Sequence, residues 1–286
     1  MAFVMAKMNG TQRRKTRSNV LRYILLVPFL VLASAPFAWM VITSLKPSTQ
    51  VYTTPIRWLP DPPTLENYVT VLTRTDFPRV FTNTLFVAGT TALISTSIAI
   101  LAAYGISRLA SRHTERLLFV LLFAQMIPTV LLVVPYFMLF RTMNLIDTLW
   151  VLVITNVSFT APIATWLLRR FMDKVPIELD QAAMIDGCSR IGALVRVILP
   201  AVRAGVGAVF FYTFLVAWHE YLFALSLTQS GKNQVATVSI ASLVGQYSVD
   251  WGQLMALGVL ITLPLVVLFI FVEKNLIEGL AGGVKG

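Results

Sequence analysis

The sequence predicts an all-α membrane protein with six transmembrane helices. Of its 286 residues, 57% are hydrophobic and 13% are charged, and the mean hydropathy is +0.76. Soluble domains carry roughly 25% charged residues. A helix needs about 20 apolar residues to cross the hydrocarbon core. Six stretches meet this requirement: residues 23–44, 81–107, 117–140, 148–168, 204–227 and 254–272. Since lipid offers no partner to unpaired backbone groups, a bundle of helices is expected.

The six stretches are expected to form one transmembrane domain, residues 23–276, between an N-terminal segment, 1–22, and a tail, 277–286. Seventeen of the 23 lysines and arginines lie before the first stretch, after the last one, or in the second and fourth connections between stretches. Because Lys and Arg are retained on the cytoplasmic side of a bilayer, both termini are predicted to face the cytoplasm. The same retention explains the net charge of +10, so no nucleic-acid partner is expected.

The first stretch has a second interpretation as a cleavable export signal. A basic start, an apolar run and the small residues 33–35 are typical of such signals. The apolar run continues to about residue 44, beyond the roughly 7–15 residues of a signal core. An uncleaved helix is therefore favoured.

Patterns inside the stretches predict how the helices pack. Prolines such as Pro128 predict kinks, which neighbouring helices tolerate by satisfying the freed carbonyl groups. Small residues at four-residue spacing allow two helix backbones to approach closely. In the second stretch these residues are Ser95, Ala99, Ala103 and Ser107.

The fourth connection is rich in charged residues, whereas most of the chain is apolar. Ten of the 36 charged residues lie within residues 169–203. Glu178 and Asp180 follow a proline that suits a helix start, and acids in a first turn oppose the helix dipole favourably. Gly187 then predicts the end of this helix, because glycine adopts a left-handed backbone at little cost.

An apolar stripe of helical period follows Gly187. Its members are Ile191, Leu194, Val195, Ile198 and Leu199. Residues 172–200 are therefore predicted to form two short helices around a tight turn. Helix connections in bundles usually run about 2–8 residues, so a passive link does not need this structure. Two roles stay open: a docking site for another protein, or an amphipathic helix at the lipid boundary.

Residues 172–200 resemble the EAA loop of ABC importer permeases, which contains Glu-Ala-Ala, two residues, Asp-Gly and a later apolar pair before proline. The matching positions are Gln181, Ala182, Ala183, Asp186, Gly187, Leu199 and Pro200. Gln181 departs from the glutamate that is common in the family. This departure weakens a salt-bridge account of coupling to an ATPase and leaves an account based on shape intact.

The resemblance covers nearly the whole chain from residue 28, and it is to maltose-transporter-like, carbohydrate-uptake permeases with six helices. The other similar segments are 44–47, 59–72, 83–91, 101–109, 125–137 and 279–286. The resemblance implies type I importer architecture in the inner (plasma) membrane of a prokaryote. It implies a heterodimer with a second permease, two ATPase subunits and an extracytoplasmic solute-binding protein. The implied solute is a sugar or a related polar molecule.

Neither a nucleotide site nor a metal site is expected on this chain. The phosphate-binding loop needs Gly-x4-Gly-Lys-Ser/Thr, but Ser226 and Asn233 flank Gly231 at the required positions. The His-Glu-x-x-His zinc motif lacks its second histidine, because position 223 is Phe223. The chain is therefore not expected to be an enzyme, and ATP and magnesium are assigned to the partner ATPase.

Glu220 is an ionisable residue within the fifth stretch, where charge is unfavourable and usually functional. Trp218 and Glu220 match a Trp-Asn-acid sequence typical of the family, and His219 departs from it. One interpretation is a polar lining of the translocation path, formed by Trp218, His219 and Glu220, that binds sugar hydroxyl groups. The other is a structural carboxylate bonded to a neighbouring helix.

Two other functions were weighed from the same sequence. A secondary transporter driven by an ion gradient is the alternative function, and it predicts several buried acids and internal symmetry. One embedded acid and no evident repeat argue against it. A membrane-anchored assembly protein would not need the glycine turn of the fourth connection.

Overall fold

The computed structural model describes the backbone of residues 10–109, 112–243 and 249–281, and the side chains of 24–109, 113–243 and 249–273. Within these ranges every regular element is helical, which confirms the predicted all-α class. The helices are α1 (Gly10–Ser44), α2 (Ser48–Val51), α3 (Glu66–Arg74), α4 (Phe77–Arg108), α5 (Arg112–Ala124), α6 (Val133–Thr142), α7 (Leu149–Met172), α8 (Ile177–Ile185), α9 (Arg190–Ala201), α10 (Arg203–Trp218), α11 (Leu222–Leu227), α12 (Ala236–Leu243) and α13 (Trp251–Ala281).

Among the described residues, four helical segments are long and apolar enough to cross a membrane by themselves: Ile24–Ser44, Phe77–Arg108, Leu149–Met172 and Trp251–Glu273. The count rises to six when each of two bent helix pairs is taken as one span. The predicted number of six spans therefore stays a prediction. Parts of the predicted N-terminal segment and tail, residues 1–9 and 282–286, lie outside the described residues.

The predicted span 117–140 is not one continuous helix. Helix α5 ends at Ala124, the chain bends by 94°, and a 3-10 turn begins at Thr129 before α6. Pro128 lies at this break. Because proline has no backbone N–H and disfavours a helical conformation in the preceding residue, the expected kink becomes a full interruption.

The predicted span 204–227 is also divided, and the sequence does not predict this break. Helix α10 ends at Trp218, residues 219–221 are not helical, and α11 begins at Leu222. The Glu220 carboxylate accepts hydrogen bonds from backbone N–H groups of α11. This acid therefore satisfies a helix start, which neither proline nor glycine marks in the sequence.

The described chain forms two compact units. The first contains residues up to Val71 together with Asp250–Val259, and the second contains Leu72–Val249 and the residues from Leu260 onward. In the first unit the Asn67 side chain donates hydrogen bonds to the backbone oxygens of Ser44 and Lys46, each 2.9 Å long. These bonds hold the end of α1 against α3.

Lys46 is a buried cation of the first unit, with 2% of its surface exposed. Its Nζ donates to the backbone oxygen of Arg57 at 2.7 Å and lies 4.3 Å from the centre of the Trp39 ring. Burial lowers the pKa of this amine. The carbonyl oxygen and the aromatic ring partly replace the water that the ammonium group loses.

The second unit is built on close packing of α4, α7 and α10. Ala99 and Ala103 of α4, both fully buried, belong to one apolar cluster with Ala164 and Leu168 of α7. The hydroxyl groups of Ser95 and Thr160 bond each other at 2.7 Å between the same two helices. The stripe of small residues therefore forms a helix contact, as its spacing predicts.

Candidate functional site

The connection between α7 and α10 folds as two helices around a turn. Pro176 lies immediately before α8, so its missing N–H leaves no intrahelical bond unmade. Glu178 and Asp180 lie in the first turn of α8. The helix ends at Ile185, two residues before Gly187, where the sequence predicts a stop. We call residues 173–202 the α8–α9 loop.

A Schellman motif closes α8. Gly187 has a φ of +87°, and its N–H donates to the Met184 oxygen at 3.1 Å. The N–H of Cys188 donates to the Ala183 oxygen at 2.9 Å. This pair of bonds requires a left-handed residue after the helix, which glycine provides without strain. The turn therefore depends on the backbone freedom of one residue.

Ser189 starts α9, a cap that the sequence analysis did not identify. Its hydroxyl oxygen accepts a hydrogen bond from the Gly192 N–H at 3.1 Å, which satisfies one of the free donors of the first turn. Residues 194–198 then form a π turn that ends two residues before Pro200. Because proline cannot donate to the carbonyl four residues earlier, the wider turn accommodates it.

The apolar stripe predicted for α9 divides between two environments. Leu194 and Ile198 are 2% and 0% exposed and pack in the cluster that contains Ala99 and Ala103. Ile191 and Val195 instead expose 69% and 54% of their surface. Part of the predicted stripe therefore faces the apolar cluster, and part lies at the surface.

The last turn of α4 holds the loop through a buried ion pair. Arg108 Nε lies 2.5 Å from Asp180 Oδ2, and the two side chains are 9% and 4% exposed. Tyr104 donates its hydroxyl proton to Asp180 Oδ1 at 2.9 Å. Arg108 Nη2 also donates to the Val175 oxygen at 2.9 Å. The sequence analysis counted Arg108 only as a charge that indicates sidedness.

A cavity of about 110 Å³ adjoins this ion pair. Its lining includes Arg108, Asp180, Gln181 and Arg190, with apolar side chains from α4 and α8. Of the residues matched to the EAA pattern, Ala183 is buried and Leu199 is half-buried. The exposed ones are Gln181, Ala182, Asp186, Gly187 and Pro200, and Glu178 is exposed as well. The loop thus presents its turn and keeps Asp180 and Ala183 inside.

Three residues predicted to line a translocation path lie at the end of α10 and in the break before α11: Trp218, His219 and Glu220. Trp218 is 2% exposed and stacks on Phe214, with 5.3 Å between the ring centres. His219 is exposed. A cavity of about 10 Å³ touches Trp218 and Glu220 and has room for about one water molecule. A role of these three residues in a path stays a prediction.

Glu220 has a structural role in its own segment. Its two carboxylate oxygens accept hydrogen bonds from the N–H groups of Phe223 at 2.7 Å and Ala224 at 2.9 Å. Thr237 donates to the backbone oxygen of Glu220 at 2.7 Å. The acid therefore satisfies the start of α11. One of the two interpretations from the sequence placed its partner on a neighbouring helix, and the other, a role in lining a path, stays a prediction.

Asp147 anchors the chain that follows α11. Its Oδ1 accepts hydrogen bonds from the N–H groups of Gln229 and Ser230, each 3.0 Å long. Burial alone would raise the pKa of Asp147, but hydrogen bonds from Ser230, Gln229 and Asn233 outweigh it and lower the pKa. The backbone of Asp147 has a φ of +60°, which aspartate tolerates better than most residues.

The lowered pKa of Asp147 predicts a pH dependence of stability. A group whose folded pKa lies below its unfolded value near 3.9 stabilises the fold above that pH, and this contribution disappears as the pH falls through the folded pKa. We expect Asp147→Asn to lose about 1 kcal/mol at neutral pH, since the charged acceptor is partly exposed.

Unfolding of the purified protein in detergent, followed between roughly pH 6 and pH 3, measures this difference. The variant should approach the wild type as the medium becomes acidic. Asp76→Asn, which changes an exposed carboxylate, serves as the control. An equal stability difference between wild type and Asp147→Asn at every pH would contradict the assignment.

The fold and the loop together define a class: a membrane protein with several apolar helices and one structured polar loop. Its helices are apolar over most of their length, and a structured polar loop is held at one end of α4. Family comparison makes this specific, since residues 95–281 match the model of the binding-protein-dependent transport system inner membrane component. The chain belongs to this family.

Relatives agree along almost the full chain. The inner membrane ABC transporter permease protein YcjP of Escherichia coli (strain K12) is 34% identical over 96% of this chain and 99% of its own. The trehalose/maltose transport system permease protein MalG of Thermococcus litoralis is 32% identical over 94% and 99%. The sulfoquinovosyl glycerol transport system permease protein SmoH of Agrobacterium fabrum is 32% identical over 93% and 94%.

A solved structure has the same fold. It is a chain of a bacterial ABC transporter involved in import of the acidic polysaccharide alginate, with a TM-score of 0.80, 18% identity and coverage of 92% of this chain and 98% of that one. The chain is thus an ABC importer permease subunit of the inner membrane, as the sequence predicts. Family membership displaces the alternative of an ion-gradient-driven transporter.

Proposed function

We propose that this chain is one of two permease subunits of an importer for a sugar or related polar solute, and that its α8–α9 loop docks on a separate ATPase. The ATPase, present in two copies, binds ATP and magnesium, and this chain carries no cofactor. An extracytoplasmic binding protein delivers the solute. The loop then lies on the cytoplasmic side, together with both termini. The observation that carries the proposal is the exposed turn at Gly187, held on a rigid helix pair.

Exposed apolar side chains around the turn support docking. Ile185 exposes 85% of its surface, and Ile191 exposes 69%. Both residues lie on the part of the loop that projects from the buried ion pair at Asp180. Apolar groups that are exposed on a polar segment indicate a contact with protein or lipid. The match to an ABC importer family favours protein over the lipid boundary.

The relatives support a saccharide-like solute. Their names refer to trehalose and maltose and to sulfoquinovosyl glycerol, which are all polar and rich in hydroxyl groups. A solved neighbour, with a TM-score of 0.66, is a complex with a periplasmic protein that binds an alginate pentasaccharide. We propose that Trp218, His219 and Glu220 lie near the path of such a solute, with His219 as the exposed member.

Cys188 provides a direct test of docking. It is the single cysteine of the chain and follows Gly187 in the turn. A photoactivatable crosslinker attached to Cys188 in the complex purified from native membranes should capture one nucleotide-binding subunit. ATP should change the yield, because ATP-driven closure of the partner moves the docked loop.

The control moves the probe to the other end of α4. Asn83 of α4 bonds the backbone oxygen of Lys232, so a cysteine at Lys232, in a Cys188→Ser background, lies far from the loop. No ATPase should be captured from this position. Capture of lipid alone from Cys188, or equal capture from both positions, would reject the proposed docking.

A further inference from the structure

The α8–α9 loop is joined by the chain to α7 and α10 only, yet side-chain hydrogen bonds also tie it to α4. Three residues in the last turn of α4 contact it. Ser107 donates to Asp173 Oδ1 at 2.6 Å, at the beginning of the loop. Arg108 pairs with Asp180 in the first turn of α8. The remaining contact is the hydroxyl of Tyr104, which donates to Asp180 and approaches the backbone oxygen of Arg190 at 3.3 Å.

Burial makes the central pair of this contact rigid. Arg108 and Asp180 expose 9% and 4% of their side chains, so neither charge is solvated well enough to leave its partner freely. Arg108 is also held by its bond to Val175, and Asp180 by its bond to Tyr104. Charge-assisted hydrogen bonds of this kind fix geometry as well as distance.

We propose that Arg108, Asp180 and Tyr104 form a transmission joint, through which movement of the docked loop is passed to α4. This inference depends on the proposed function, since it needs an ATPase that moves the loop. The three residues are positioning residues that need not touch the solute or the nucleotide. Loss of the joint would remove the charged link between α4 and Asp180 of the loop.

The contacts at the other end of α4 indicate which segment would receive a movement of this helix. The helix has 32 residues and is therefore about 48 Å long. Near its beginning, Asn83 donates to the backbone oxygens of Lys232 and Gln234, each at 2.9 Å. Thr84 accepts the N–H of Ala236 at 2.8 Å. A displacement of α4 at Arg108 therefore reaches the segment after α11 through direct hydrogen bonds.

Two reporters distinguish movement of the loop from movement of α4. The first is a fluorophore on native Cys188 in the loop. The second is the same fluorophore on Leu101→Cys in a Cys188→Ser background, because Leu101 lies on α4 and is 63% exposed. Each is measured in the purified complex with its ATPase, on addition of ATP and magnesium.

In wild type we expect both reporters to respond. In Asp180→Asn, which removes the charge and keeps the size, the Cys188 response should persist. The response at position 101 should fall at least tenfold. Arg108→Lys keeps the charge but loses the guanidinium fork, so it should give the same split. Asp76→Asn breaks the exposed ion pair with Arg79 at the other end of α4, and it should leave both responses unchanged.

The other outcomes would count against either the joint or the proposed ATPase docking. Wild-type responses from both reporters in Asp180→Asn and Arg108→Lys would overturn the joint. Loss of both responses in these variants would also overturn it, because the pair would then only shape the loop for docking. Absence of any response in wild type would instead count against the proposed ATPase docking.

Discussion

Replacing Gly187 with valine is expected to leave the protein in the membrane and to abolish its capture of the ATPase. The residue has a φ of +87°, a region that costs roughly 1–2 kcal/mol for an ordinary residue and more for a β-branched one. A Cβ at this position meets nothing within 4 Å, so the penalty is one of backbone conformation alone. The Schellman bonds of Gly187 and Cys188 would be lost, and the loop would present a different turn.

Crosslinking from Cys188 and ATP hydrolysis by the purified complex measure this effect. We expect both to fall more than tenfold in Gly187→Val and to be intermediate in Gly187→Asn, because asparagine tolerates the left-handed region. Gly231→Val is the matched control, since Gly231 also has open space but no positive φ. If Gly187→Val behaves like this control, the turn is not part of the coupling.

Gly205→Ala is expected to destabilise the whole second unit by about 2 kcal/mol, because it overpacks a helix contact. A Cβ on Gly205 would lie within 2.8 Å of Cβ and Cδ2 of Phe171, and closer still to Cγ. Rotation of the ring does not relieve a clash that involves Phe171 Cβ. The first turn of α10 must therefore move away from the last turn of α7.

Unfolding of the purified protein in increasing concentrations of a denaturing detergent measures this loss. Gly89→Ala is the matched control: Gly89 lies in α4 with nothing within 4 Å of a Cβ, so alanine there should be neutral or slightly stabilising. Phe171→Ala in the Gly205→Ala background should recover part of the loss, because it removes Cγ and Cδ2, two of the three clashing atoms, and leaves Cβ. Equal stability of Gly205→Ala and Gly89→Ala would show that the helices adjust without strain.

The two effects differ in how far the sequence reveals them. The role of Gly187 is readable locally, since a helix with acids in its first turn must end, and a glycine marks that end. Gly205 carries no such signal, because its restriction comes from Phe171, which is 34 positions earlier in the chain. Local conformation follows from neighbouring residues, whereas close packing depends on which elements meet.

The same distinction applies to the loop. Composition and period predict its two helices and its turn. The resemblance to the EAA loop predicts its membership of a transport family, and the family comparison confirms that membership. The pairing of Arg108 with Asp180 joins residues 72 positions apart and was not predicted. The sequence does contain a signal for this contact, because Arg108 ends an otherwise apolar stretch and Tyr104 lies one helical turn before it.

The sequence by itself determined that this is a helical membrane protein, where its apolar stretches lie and where the loop turns. These properties depend on hydrophobicity and backbone preference, which each residue and its neighbours carry. Only the tertiary structure decided that Glu220 divides a predicted span, that the stripe of α9 is only partly buried, and that α4 holds the loop. The last of these outcomes depends on which buried polar groups find partners, and folding alone brings those partners together.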